Sequence, residues 1–192
     1  PGLKKFGTVQ DLYYWAVDDG SDTVLLLQNY FSAFYPTLET QTDGTISLFD
    51  RNGVAIGSST FNLPALGGAK YRVSSLLDQV GNGFDGTFGT LEVQINIPEA
   101  VREHISHEKG LYFWDRFYIG YSNPKGQFCF VHGVDKTHIY SEGQSSAGYW
   151  YETPKDEAWA PEIPVEMEQY TRFSVVMLNR TSVDSETTLI LS

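Results

Sequence analysis

The sequence has one cysteine, few basic residues and no long apolar run. Because Cys129 stands alone, an internal disulfide framework and any zinc or iron–sulfur site made of several cysteines are excluded. No segment reaches the roughly 20 consecutive apolar residues that span a bilayer, so we expect no membrane insertion. The 13 Lys and Arg against 24 Asp and Glu leave a net charge of −11. Because so acidic a surface repels phosphate backbones, we expect no nucleic acid partner.

The composition is that of a folded protein. Of the 192 residues, 41% are apolar and 15% are aromatic, and a chain of this length can bury roughly 70% of its unfolded surface. The apolar run Phe128–Val131 contains Cys129, which predicts a buried and unreactive thiol. We predict one elaborated domain over residues 1–192, with a second module starting within 171–192 as the alternative.

Runs of β-branched and aromatic residues, each ended by a turn, predict strands along most of the chain. Leu12–Val17 and Thr23–Tyr30 flank an acidic turn and therefore predict a hairpin. The pair Asn52-Gly53 separates two further runs and is typical of a type I′ hairpin turn. Ala69–Leu77 is predicted as another strand because Tyr71 and Val73 alternate within it.

About ten such strands with turns every 8–12 residues predict an all-β protein. The expected fold is an antiparallel β-sandwich, either immunoglobulin-like or a jelly roll. Residues 98–109 are the helix candidate, because Pro98 suits a first helical position and Glu99 suits the positive end of a helix. Residues 141–170 are rich in Gly, Pro and acidic residues, and they predict a long irregular acidic loop.

A cluster of possible metal ligands lies at His132, Asp135 and His138. Two histidines and a carboxylate are the ligand set of non-haem iron or zinc sites. On an unbroken strand, however, His132 and His138 would share one face and Asp135 would point away. We therefore predict no metal and no other cofactor; a divalent metal at these three residues belongs to an enzymatic alternative.

Motifs for covalent or phosphate chemistry are missing from the sequence. There is no Gly-x-Ser-x-Gly nucleophile elbow and no Gly-rich phosphate loop of the Walker or dinucleotide type. A sandwich can bring distant carboxylates together, which keeps a glycosidase as an alternative. Glu92 lies on the polar side of the alternating run Thr90–Ile97, which predicts a solvent-facing side chain.

Large aromatic residues occur where a core position is least expected. Tyr149, Trp150, Tyr151 and Trp159 fall within the irregular segment 141–170. Flat aromatic faces beside polar side chains are suited to stacking on sugar rings or to binding another protein. We predict that these four residues form an exposed ligand-binding surface.

The order of features in residues 23–97 also carries a family resemblance. A two-sided apolar strand precedes a strand ending in Asp50-x-Asn52-Gly53, and residues 63–69 (LPALGGA) lead towards a Gly-Thr-Leu-Glu-Val strand. This order resembles the small immunoglobulin-like modules of bacterial surface and adhesion proteins. It is also similar to the sensory rhodopsin transducer family, a β-sandwich family associated with small-ligand binding. The resemblance implies a fold, and it transfers no functional residue.

Together these features predict a non-catalytic binding or structural module, as part of a larger surface or assembly protein. The expected partner is a protein or a saccharide, and another copy of the chain would form a homo-oligomer. The cell surface or periplasm is favoured over the cytoplasm. The alternative is a jelly-roll enzyme, either metal-dependent through His132, Asp135 and His138 or glycoside-active through paired carboxylates.

Overall fold

The computed structural model describes residues 6–18, 20–81, 83–105, 117–132, 138–141 and 176. Backbone contacts divide the chain into two compact units, Pro1–Ser145 and Ser146–Ser192. All described residues except Val176 belong to the first unit. A single domain over 1–192, or a second module within 171–192, stays a prediction.

The described residues form nine strands and three short helices. In chain order these are β1 (Phe6–Ala16), β2 (Thr23–Gln28), α1 (Tyr30–Phe34), β3 (Thr42–Asp50), β4 (Ala55–Leu63), β5 (Gly68–Arg72), α2 (Val73–Val80), β6 (Phe88–Asn96), α3 (Glu99–Ile105), β7 (Phe117–Ser122), β8 (Phe128–His132) and β9 (His138–Ser141). The helix predicted at 98–109 is confirmed over the described residues of α3. None of the described helices is both long and apolar enough to cross a membrane.

The strands form two antiparallel sheets, and the predicted all-β sandwich is confirmed. One sheet has the strand order β4-β3-β6-β1-β9, and the other has the order β5-β2-β7-β8. Both sheets and all three helices contribute side chains to one apolar core. Its buried members are Tyr13, Trp15, Leu25, Leu27, Phe31, Ile46, Leu48, Phe61, Leu63, Val73, Leu76, Leu91, Val93, Ile95, Ile97, Val101 and Ile119.

Alternation along the central strands explains why the core forms. On β6, Leu91, Val93 and Ile95 are buried, whereas Glu92 and Gln94 lie on the opposite face and are half-buried. Burying one such apolar side chain contributes roughly 1.5–3 kcal/mol to folding. A slip of one residue in strand pairing would turn this whole face away from the core, so the pattern also sets the register.

Trp15 is the largest of the fully buried side chains. Its indole N–H donates to the carbonyl oxygens of Thr90 at 2.9 Å and Phe49 at 3.1 Å. The polar end of the ring is therefore satisfied by backbone groups at the ends of β6 and β3, as a buried indole requires.

The predicted β1–β2 hairpin is wrong. β1 pairs with β6 and β9 in one sheet, whereas β2 pairs with β5 and β7 in the other. Trp15 and Leu25 are both completely buried, because each strand turns its apolar face towards the core between the sheets. Thr23 fixes the crossing, since its Oγ1 accepts from the Ala16 N–H and donates to the Ala16 carbonyl, each at 2.8 Å.

The hairpin predicted at Asn52-Gly53 does form, but with a different turn. β3 pairs with β4, and Gly53 has a φ of +79° whereas Asn52 does not have a positive φ. A type I′ turn needs positive φ at both central residues. Here the Asp50 carboxylate accepts from the Asn52 and Val54 N–H groups, each at 2.8 Å, and it stabilises a wider loop.

Candidate functional site

The residues proposed from sequence as a site fall largely outside the described residues. These undescribed residues are Tyr149, Trp150, Tyr151, Trp159 and Asp135. The backbone of His132 ends β8 in the four-stranded sheet, and that of His138 begins β9 in the five-stranded sheet. Within the part of the chain that the structure describes, no three His, Cys, Asp or Glu side chains group closely enough to hold a metal ion.

The most distinctive surface of the described residues is strand β8. It is one of the two edge strands of its sheet among the described residues, the other being β5, and it pairs with β7 so that Ile119 lies opposite Val131 and Gly120 lies opposite Phe130. The hairpin turn between β7 and β8 is closed by Asn123, whose N–H donates to the Gln127 carbonyl at 2.9 Å.

The alternation of the antiparallel ladder decides which backbone groups of β8 reach its open side. Because Asn123 and Gln127 form a hydrogen-bonded pair, the next such pairs along the ladder are at Cys129 and Val131. The N–H and C=O groups of Phe128, Phe130 and His132 therefore point away from β7. Among the described residues no strand pairs with these groups, and an unpaired row of backbone donors and acceptors is a template for another strand.

The outer face of β8 carries two stacked phenylalanine rings. The centroids of Phe128 and Phe130 lie 5.7 Å apart with an interplanar angle of 17°, and the two residues are 40% and 48% exposed. Phe130 covers Gly120 on β7, where an added Cβ would lie 2.4 Å from a carbon of the Phe130 ring. The glycine thus makes room for the ring that is presented to solvent.

The side chains on the inner face of β8, which points towards the other sheet, are also exposed. Val131 is 45% exposed, and Cys129 is an exposed free cysteine. The prediction of a buried thiol at Cys129 is therefore wrong. The reason is the strand's place at the sheet edge, where an inward-pointing side chain is only partly covered by the opposite sheet.

Other edge strands carry exposed polar or charged side chains, which the run Phe128–Val131 of β8 does not. Lys70 and Arg72 are exposed on β5, and Ser58 and Thr60 are exposed on β4. Lysine and other charges on an edge discourage pairing with another chain. Phe128–Val131 contains no such residue, so among the edges with described side chains β8 is the apolar and uncharged one.

A cleft of about 330 Å³ between β5 and α2 is a weaker candidate. Its lining residues are Lys70, Tyr71, Arg72, Ser75, Leu76 and Gln79. The two cations would suit an anion, but Asp22 already takes that role. The Asp22 carboxylate lies 3.3 Å from the Arg72 guanidinium and accepts from the Ser74 N–H at 3.1 Å, at the start of α2. The positive end of α2 is thus neutralised within the protein.

The alternation of its strand predicted that Glu92 faces solvent. The structure shows that its side chain is only partly exposed. It is half-buried on the outer face of the five-stranded sheet, opposite Leu12 on β1 and Ser47 on β3. Burial raises the pKa of its carboxyl above 4.5. A raised pKa alone is common at structural positions and does not identify a catalytic acid.

Sequence reasoning did not find Phe128, Phe130 and Val131 as surface residues. A short apolar run looks the same in a buried central strand and in an exposed edge strand. The missing signal is the strand order, which depends on pairing between distant segments. A hint was present in Gly120, because a glycine within a strand often marks close approach of another group.

In the part of the chain that the structure describes, these features define an antiparallel β-sandwich whose candidate site is the apolar edge strand β8. Comparisons with protein-family models, with curated proteins and with solved structures found no match.

Proposed function

We propose that this chain is a non-catalytic binding module that engages a protein partner through the open edge of β8. The observation that carries the proposal is the combination of an outward-facing backbone row with exposed Phe128, Phe130 and Val131, in a run that contains no charged residue. Strand addition to a sheet edge uses these two components, with main-chain hydrogen bonds for affinity and alternating side chains for specificity.

The exposed rings support this function because they carry an energetic cost in the free protein. A phenylalanine kept in water forgoes part of the roughly 1.5–3 kcal/mol that full burial contributes. Two stacked rings that are each near half exposed form an apolar patch, and such patches mark interaction surfaces in folded proteins. A partner strand would cover both rings and satisfy the open backbone groups.

A protein partner is favoured over a saccharide by the chemistry of β8. Its open side offers backbone N–H and C=O groups at the spacing of a strand, which another backbone matches. Sugar hydroxyls need convergent polar side chains near the aromatic faces, and Phe128–Val131 has none. The saccharide alternative depends on Tyr149, Trp150, Tyr151 and Trp159, and it stays a prediction.

Selection of peptides from a random displayed library on the immobilised protein tests this function. We expect the enriched peptides to be apolar, rich in β-branched and aromatic residues, and to bind the wild type. Phe128→Lys places a charge on the open edge and should reduce the binding of these peptides at least tenfold. Thr60→Lys, which adds the same charge to edge strand β4, is the matched control and should bind them like the wild type.

The outcome decides between β8 and any other surface. If the enriched peptides bind Phe128→Lys as tightly as they bind the wild type, β8 is not the docking edge. If no peptide is enriched, the proposed function is wrong for strand-like partners. Circular dichroism of both variants checks that each lysine leaves the sheet content unchanged.

A further inference from the structure

We propose that Asn52 is a site of spontaneous deamidation, and that hydrogen bonds to Asp50 set its rate in the folded protein. Asn52 and Gly53 lie in the exposed turn that joins β3 to β4. In this reaction the side-chain amide becomes a carboxylate, and water is the co-reactant. The turn belongs to the five-stranded sheet, so the inference is independent of the function proposed for β8.

The reaction joins the backbone of Gly53 to the side chain of Asn52. The Gly53 nitrogen loses its proton to a base and attacks Cγ of Asn52, which forms an N–Cγ bond. The Cγ–Nδ2 bond breaks, and its nitrogen leaves as ammonia, so that a five-membered succinimide ring remains. Water then opens the ring at either carbonyl and gives aspartate or isoaspartate. No group is oxidised or reduced.

The local geometry leaves the attacking nitrogen accessible. Gly53 has no Cβ, and the space that a Cβ would occupy has no other atom within 4 Å. Its φ of +79° lies in the region that favours glycine, which keeps this position free of a side chain. Asn52 and Gly53 are both exposed, so a base and water from solvent reach the reacting groups.

The other asparagines that the structure describes are less suited to this reaction. Each precedes a residue with a branched or aromatic side chain, or a proline; these pairs are Asn29-Tyr30, Asn62-Leu63, Asn96-Ile97 and Asn123-Pro124. A bulky side chain crowds the attacking nitrogen, and a proline nitrogen has no proton to lose. The sequence has a second Asn-Gly pair, Asn82-Gly83, but its asparagine lies outside the described residues.

Asp50 holds the turn in a form that resists the attack. One oxygen of its carboxylate accepts from the N–H groups of Asn52 and Val54, each at 2.8 Å, and the other accepts from Asn52 Nδ2 at 3.4 Å. The Gly53 N–H donates to the Asp50 carbonyl at 3.1 Å, so its proton is already engaged. The rate therefore depends on how often these hydrogen bonds open, as in other local opening events. The Val54 hydrogen bond is the main cause that lowers the pKa of the Asp50 carboxyl below 3.8, which keeps it charged at neutral pH.

Both products of the reaction weaken the turn in which they form. Each lacks the Asn52 Nδ2 group that donates to Asp50 and carries a second carboxylate near the first. Like charges at this distance repel each other. Isoaspartate also inserts a carbon atom into the backbone between the N–H groups of Asn52 and Val54, which Asp50 binds together.

Incubation of the folded full chain at neutral pH in water enriched in heavy oxygen tests the site. Each new carboxylate takes up one heavy oxygen atom, and tandem mass spectrometry of the digested protein locates it. We expect label at Asn52 to appear faster than at Asn62, Asn96 or Asn123. Asn52→Gln should show none at this position, because its longer side chain would have to close a larger ring. Faster labelling of any of those three asparagines than of Asn52 overturns the assignment.

Two substitutions of Asp50 separate its hydrogen bonds from its charge. Asp50→Ala removes both, and it should speed the labelling of Asn52 at least about threefold, since exposed hydrogen bonds make modest net contributions. Asp50→Asn removes the same charge but keeps an acceptor oxygen, so it is the matched control and should stay closer to the wild type. Circular dichroism checks that both variants keep their strand content. If Asp50→Ala labels no faster than the wild type, or Asp50→Asn labels as fast as Asp50→Ala, the role given to these hydrogen bonds is wrong.

Discussion

At the scale of single residues, Asn29 is the buried side chain that ties three segments together. It precedes α1, and its Oδ1 accepts from the Ser32 N–H at 3.3 Å. Its Nδ2 donates to the carbonyls of Thr40 at 2.7 Å, Pro64 at 3.1 Å and Leu63 at 3.2 Å. One amide therefore caps a helix and also satisfies carbonyls on two loops. Buried carbonyls that lose their donor are costly.

We expect Asn29→Ala to lower the free energy of unfolding by roughly 1–3 kcal/mol, because the carbonyls lose their donor. Asn29→Asp keeps the shape but directs a carboxylate at the same carbonyl oxygens. It should therefore be more destabilising than Asn29→Ala at pH 7. Since this environment raises the pKa of the new carboxyl above its unfolded value of about 3.9, the aspartate variant should recover stability as the pH falls and the carboxyl protonates.

Urea unfolding of both variants, followed by far-UV circular dichroism, gives these stabilities. Gln28→Glu is the control, because it adds the same charge at the exposed position next to Asn29, opposite Gly68 on β5, and it should show neither the loss nor the recovery. An Asn29→Asp variant as stable as the wild type at pH 7 would contradict the role assigned to the amide hydrogens.

At the scale of elements, Asp22 explains why α2 begins where it does. Its carboxylate accepts from the Ser74 N–H at 3.1 Å and from the Ser74 hydroxyl at 2.7 Å, and it lies 3.3 Å from the Arg72 guanidinium. Asp22 is 8% exposed and belongs to the turn after β1. A residue distant in sequence thus supplies the cap that Arg72, the N-cap residue, does not provide.

Removal of this cap should destabilise the fold through α2. We expect Asp22→Ala to cost about 0.5–2 kcal/mol, the usual range for loss of a capping carboxylate. A double-mutant cycle with Ser74→Ala should give a coupling of at least about 0.5 kcal/mol. Asp78→Ala removes an exposed acid near the other end of α2, where a negative charge is unfavourable, and it should be neutral or slightly stabilising. Additive effects of Asp22→Ala and Ser74→Ala would contradict the cap.

The same element shows what the sequence could predict. Val73, Leu76, Leu77 and Val80 are spaced as one apolar face of a helix. Alternation at Tyr71 and Val73 led instead to a predicted strand over Ala69–Leu77, and the structure corrects this to β5 followed by α2. The helical spacing was present in the sequence, but the cap from Asp22 depends on tertiary structure and could not be predicted.

Strand existence was predictable for most elements, and strand position was not. Thr23–Gln28 and Phe128–His132 are both short apolar runs, yet the first is a central strand and the second an edge. The neighbours of β2 are β5 and β7, which lie far along the chain, so local periodicity carries no information about them. For that reason the sequence does not identify β8 as a candidate site. The aromatic surface of Tyr149, Trp150, Tyr151 and Trp159 lies outside the described residues and stays a prediction.

At the scale of the whole molecule, the two sheets are joined by polar contacts as well as by the core. The Tyr121 hydroxyl on β7 donates to the Tyr14 carbonyl on β1 at 2.9 Å. Burial, with smaller contributions from Tyr14 and Cys129, raises the pKa of the Tyr121 phenol to about 12. The phenol therefore stays protonated and keeps donating across the pH range in which the carboxylates titrate.

Glu92 makes the stability of the molecule depend on pH. Burial raises the pKa of its carboxyl in the folded protein above the value of 4.5 for the free group. Between these two values the folded state holds more protons than the unfolded state, so the free energy of unfolding falls as the pH rises. Below 4.5 the group is protonated in both states and contributes nothing, whereas above the folded pKa its full penalty is present.

We therefore expect Glu92→Gln to be more stable relative to the wild type at pH 7 than below pH 4.5. Urea unfolding at intervals from about pH 4 to about pH 7 measures this difference. Glu39→Gln changes an exposed residue and is the control. The difference between its free energy of unfolding and that of the wild type should vary less with pH. If the free energy of unfolding of Glu92→Gln relative to the wild type instead falls as the pH rises, the folded protein favours the charged carboxylate, and the prediction is wrong.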